Sequence, residues 1–170
     1  TILGGQHAII RTDLMQSMII FIGIFAGLAL LLSRLGGWEG LRTSLPAERF
    51  AFPLSPQFDG AALITLLLLV GLTYLVGPDM YSRIFCAKDD RTASTATLWT
   101  AALIIPLAFA ITIIGMGAAS LFPNIAPEQA FPTVINELFS PLLGGIILAA
   151  LLCAVMSSAD TTLLSASTIL

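Results

Sequence analysis

Four apolar blocks, near residues 8–35, 60–84, 94–122 and 141–170, limit this chain to very few folds. A helix of about 20 residues crosses a hydrocarbon core of about 30 Å, and each block is long enough to do so. Lipid offers backbone N–H and C=O groups no partner, so apolar blocks of this length read as helices that satisfy their own hydrogen bonds. The expected fold class is an all-α integral membrane protein, a single transmembrane domain over residues 1–170 with about four transmembrane helices. Its expected location is the cell membrane, with the lipid bilayer as a partner. Composition agrees, since 57% of the residues are hydrophobic and only 10% are charged.

Several function classes drop out at this point. The net charge is −3, and seven dispersed Lys and Arg make no basic face for nucleic acid. One histidine and two cysteines, with no pair at ligand spacing, argue against a zinc or other soft-metal site. Cys86 and Cys153 are expected to be free thiols. The chain starts at Thr1 and its last apolar block runs to Leu170 without a polar stop, so it is expected to be a piece of a longer protein.

Along the chain, Gly36-Gly37 ends the first block, and residues 37–58 read as a loop in which Pro46, Pro53 and Pro56 deny regular structure. The second block closes on Thr73-Tyr74-Leu75-Val76-Gly77-Pro78-Asp79, where adjacent Gly and Pro suggest an interrupted helix. Pro106 falls in the middle of the third block and predicts a kink. A short outer helix is expected near residues 127–139, opened by Pro127-Glu128. Arg11, Arg83, Lys88 and Arg91 on one side against Arg34, Arg42 and Arg49 on the other favour the first side as cytoplasmic by a single charge.

The last block carries the chemistry, in Ala154-Val155-Met156-Ser157-Ser158-Ala159-Asp160-Thr161. Ala154, Ser157, Ser158, Thr161 and Ser165 follow helical offsets that gather them on one face. Hydroxyl, carboxylate and carbonyl oxygens suit a small hard cation, which Ser157, Ser158 and the Ala154 carbonyl could hold together. The alternative is packing, in which small hydroxyl residues line a close helix crossing and bond back to the carbonyl one turn earlier. Asp160 weighs against packing, because a carboxylate at this depth costs about 2.5–3.5 kcal/mol to insert. Asp13, near the start of the first block, reads as either a site carboxylate or an interfacial charge favoured by the helix dipole. Arg83 fits a positive-inside residue, and Tyr74 and Tyr81 fit either a gate or an aromatic belt.

Three segments carry a resemblance. Gly4-Gly5, Ala8, Thr12-Asp13 and Gln16 are similar at identical spacing to a GG-x2-A-x3-TD-x2-Q signature. Gly77 to Ala87, with Arg83 and Ala87 in register, resembles the loop after a broken sixth core helix, and Ala154 to Ser167 resembles an A-x2-SS eighth core helix. All three resemble the sodium/solute symporter family, and the resemblance runs through the whole chain in the family's order.

The resemblance implies core helices five to eight of a ten-helix inverted-repeat (LeuT-type) core. It implies a sodium-coupled secondary active symporter that imports a small organic solute by alternating access. Na⁺ would be the coupling ion, with no other cofactor and no enzymatic activity. Ala154, Ser157 and Ser158 would supply the eighth-helix half of the main sodium site. Asp13, Ser157, Asp160 and Thr161 match a second site, for sodium or for a proton, where Asp160 replaces the usual serine. Tyr74, Gly77, Pro78, Asp79 and Arg83 would form a gate and solute region, and Gly77-Pro78-Asp79 differs from the Asn or Gln of the family's sugar carriers. A membrane sensor module of the same family, fused to a signalling domain, is the alternative. An intramembrane aspartyl protease using Asp13 and Asp160 lacks the GxGD and YD contexts such enzymes show.

Overall fold

A computed structural model describes residues 5–51, 53–55, 58–77, 80–81 and 84–169, apart from the side chains of residues 5–9, 164–165 and 167–169. The described residues are all-α. The helices are α1 (Gly5–Leu35), α2 (Gly37–Ser44), α3 (Gly60–Val76), α4 (Asp90–Leu121), α5 (Ala130–Leu138) and α6 (Pro141–Ile169), with 3-10 turns at Ala47–Phe50 and Pro127–Gln129.

Each boundary has a local cause. Gly36 and Gly37 both take positive φ, 78° and 83°, a left-handed turn that residues with a Cβ avoid, and this ends α1. Asp59 accepts from the Ala62 N–H at 2.8 Å and Asp89 from the Thr92 N–H at 2.7 Å, so aspartates cap the starts of α3 and α4. Because Thr92 also lies within reach of its ionised form, the Asp89 carboxyl is held below its ordinary range, despite full exposure. At the other end of α3 the chain turns extended at Gly77, whose N–H still reaches the Thr73 carbonyl.

The span expected to be a loop, residues 37–58, is partly helical. Its prolines act only from Pro46 onward, which leaves Gly37–Ser44 free to form α2 and bury Leu41 completely. Trp38 remains half-exposed and meets the Phe50 ring edge-on at 6.0 Å. Among the described residues three helices are long and apolar enough to cross a membrane, within Ile10–Leu35, Asp90–Leu121 and Pro141–Leu163. The fourth, α3, is a shorter apolar helix of 17 residues, about 26 Å at 1.5 Å per residue, before the chain turns extended at Gly77. By contrast α4 passes through Pro106 without a break in its helical assignment.

Helix α1 is the centre of the packing. Ile24 and Leu31 meet Ala110, Ile114 and Ala118 of α4 and Val134 of α5 in one buried cluster. Gly117 permits that approach, since a Cβ there would lie 2.6 Å from Leu31 Cδ2. Against α6 the crossing is tighter still. A Cβ on Gly23 would lie 2.9 Å from the Ala150 Cβ, and one on Gly27 would touch Ile147 Cδ1 at 3.7 Å. In lipid, where no hydrophobic effect drives helices together, small residues of this kind let dispersion contacts form. No residue of α3 is buried.

Candidate functional site

Two contacts fix how α1 and α6 run. Asp13 meets Ser157, and ten residues later Gly23 meets Ile147 and Ala150, so the helices are antiparallel. The crossing at the glycines draws their other ends close enough for a polar contact. There the Ser157 hydroxyl donates to Asp13 Oδ1 at 2.7 Å, a bond between residues 144 positions apart. Both side chains are half-buried.

Three further described hydroxyls of α6 bond back to their own helix. Ser158 donates to the Ala154 carbonyl at 3.2 Å, Thr161 to the Ser157 carbonyl at 2.9 Å, and Thr162 to the Ser158 carbonyl at 2.9 Å. This is the back-bonding that packing alone predicts. Ser157 itself bonds across to another helix. A hydroxyl that gives its proton to a carboxylate keeps two oxygen lone pairs to offer elsewhere, and the bond polarises that oxygen further.

Ser157 also faces a cavity. About 390 Å³ in volume, it lies between α6 and the end of α3, lined by Thr73, Tyr74, Gly77 and Met80 on one side and Ser157, Ser158, Thr161 and Thr162 on the other. The interruption at Gly77 and the hydroxyl stripe, read separately from the sequence, thus share one space. Just beyond the interruption, the Tyr81 hydroxyl donates to the Leu75 carbonyl at 2.7 Å. Asp160 is half-buried and outside the cavity lining, as are Asp13 and Ala154. Pro78, Asp79 and Arg83 lie outside the described residues.

Three lining residues carried no sequence reading as site residues, namely Thr73, Met80 and Thr162. Thr162 had a signal available, since it follows Ser158 by one turn and extends the stripe. Thr73 lies one turn before Gly77, while Met80 is apolar and carries no signal of its own.

The model of the family described as sodium:solute symporter matches residues 1–170, the whole chain. The chain belongs to the sodium:solute symporter family. Among the symporters it resembles, the sodium/pantothenate symporter of Haemophilus influenzae is 26% identical over 99% of this chain and 36% of its own length. A sodium/proline symporter of Staphylococcus aureus is 29% identical over 98% of this chain and 34% of its own length. The rabbit (Oryctolagus cuniculus) sodium/myo-inositol cotransporter 2 is 27% identical over 99% and 31%. The chain spans about a third of the length of these curated relatives. No solved structure matches it. Symporters of this family are membrane transporters and not enzymes, in keeping with the three helices long enough to cross a bilayer.

Proposed function

We propose that this chain forms part of a sodium-coupled secondary active symporter, built on a ten-helix inverted-repeat core, that imports a small organic solute by alternating access. The relatives' names couple sodium to pantothenate, proline or myo-inositol, which supports sodium as the coupling ion and leaves the solute at the level of a small organic molecule.

The observation that carries the reading is the Ser157 to Asp13 hydrogen bond. It puts a carboxylate and a polarised hydroxyl at the same point between two membrane helices, a pair of hard oxygens of the kind a small cation prefers. In this reading Ala154, Ser157 and Ser158 hold the main sodium. The Ala154 carbonyl and Ser158 hydroxyl oxygens lie 3.2 Å apart, a spacing that lets both touch one cation at about 2.3–2.6 Å once the hydroxyl proton turns away. Asp13, Ser157, Asp160 and Thr161 form the second site, which takes sodium or a proton. Tyr74, Gly77, Pro78, Asp79 and Arg83 form the gate and solute region, and Tyr74 and Gly77 already line the cavity that Ser157 faces.

Sodium bound on α6 would favour the outward-open state by its higher affinity for that state. One Na⁺ moving down about 100 mV and a tenfold gradient releases about 2.3 plus 1.4 kcal/mol, enough for solute accumulation of several hundredfold. The test is radioactive sodium binding to the intact protein, in wild type, Ser158→Ala and Asp160→Asn. Saturable binding that Ser158→Ala abolishes, with a stoichiometry that Asp160→Asn lowers by one, is the expected result. No specific binding in wild type overturns the sodium reading.

A further inference from the structure

Gln16 lies on α1 one turn after Asp13. Its side chain is nine-tenths buried, at 9% exposure, and its carboxamide oxygen Oε1 has no hydrogen-bond partner among the described residues. A buried amide oxygen left unpaired costs about 1–3 kcal/mol, so the arrangement persists only where something outside these residues satisfies it.

Its position narrows what that is. Gln16, Gly23 and Gly27 follow offsets of zero, seven and eleven, so all three share the stripe of α1 that the glycines press onto α6. Because the helices are antiparallel, one turn up α1 from Asp13 is one turn down α6 from Ser157. That places Gln16 level with Cys153 and Ala154, both half-buried. An unpaired carbonyl-type oxygen therefore lies in the α1–α6 interface, between the Asp13–Ser157 pair and the glycine crossing. Neutral amide oxygens of this kind are good ligands for hard cations.

We propose that Gln16 Oε1 is a ligand of the cation held by Asp13 and Ser157, supplying that site with a neutral oxygen one turn deeper in the membrane. This rests on the sodium reading of the same pair. It assigns Gln16 a binding role distinct from that of Asp13: the carboxylate compensates charge, and the carboxamide replaces part of the hydration shell.

The experiment compares wild type, Gln16→Met, Gln16→Glu and Asp13→Asn in the intact protein, by sodium titration of binding and by competition with Li⁺ and K⁺. Met fills the same volume without the oxygen. Gln16→Met is expected to raise half-saturating sodium about tenfold, the effect of losing one polar ligand, and to narrow the preference for Na⁺ over K⁺. Gln16→Glu keeps an oxygen in place and should restore sodium binding while making it newly sensitive to mild acid, because protons then compete for the added carboxylate. A Gln16→Met variant with wild-type affinity and ion preference, alongside an Asp13→Asn variant that loses sodium, overturns the role of Gln16 and leaves the sodium reading intact. Sodium binding unaffected by Asp13→Asn removes the reading itself. If Gln16→Met does not fold, Gln16→Glu decides alone: sodium binding without acid sensitivity overturns the proposal.

Discussion

Ser157 on α6 gives its hydroxyl proton to Asp13 on α1 across 2.7 Å, and its three hydroxyl neighbours on α6 give theirs to their own helix. Ser157 thereby makes part of a stripe of small polar residues into a link between two helices.

Removing that donor leaves the Asp13 carboxylate with one partner fewer in a half-buried setting. Ser157→Ala is expected to destabilise the protein by about 1.5–3 kcal/mol, the usual worth of a hydrogen bond to a charged group, and to raise the sodium needed for half-saturation. Ser157→Thr keeps the hydroxyl and should stay near wild type. Thermal unfolding in detergent and a sodium titration check both, and equal behaviour of the two variants would contradict the assignment.

The glycine crossing makes a steric prediction. Gly23→Ala puts a methyl 2.9 Å from the Ala150 Cβ, so α1 and α6 must separate, at about 1–3 kcal/mol for overpacking. Ala150→Gly in the same chain removes the atom it collides with and is expected to recover most of the loss. Thermal stability of the two single variants and the double variant forms the required cycle, in which strict additivity would rule the contact out.

Asp89 supplies a pH dependence. Its carboxyl is lowered by the hydrogen bonds from Thr92, so the ionised form favours the capped start of α4. That contribution is full above the ordinary carboxylate range and disappears as pH falls through the lowered value in the folded protein. Protection of the amides of residues 90–93, relative to their intrinsic exchange rates, is therefore expected to fall in acid. Asp89→Asn, which caps without titrating, should flatten that response.

Much of the architecture was legible because membrane helices announce themselves by length and apolarity, and α1, α4 and α6 are of that kind. Helix α2 was missed because GWEGLRTS offers only Trp38 and Leu41 as apolar anchors, and its burial depends on tertiary contact with α1 and α4. The sequence around Gly77 signalled an interruption, and the chain does turn extended there. Within the site, residue types and spacing pointed to Asp13 and Ser157 separately. The family resemblance grouped them at one site, but their bond could not be read from spacing, because spacing along a single sequence does not state which helices are neighbours. Gln16 was harder still, since an uncharged amide raises no alarm in an apolar block until its burial is known.

The position of Ser157 has one further consequence. Ser157 lines the cavity beside Gly77, and its hydroxyl is bonded to the carboxylate on α1. In the proposed reading, an occupant on either side that contacts Ser157 changes what its hydroxyl offers the other, so the two occupancies would be thermodynamically linked through a single rotor. Reciprocity then requires each occupant to change the other's affinity by the same factor. Such linkage operates over one side chain and needs no signal carried through the length of the bundle.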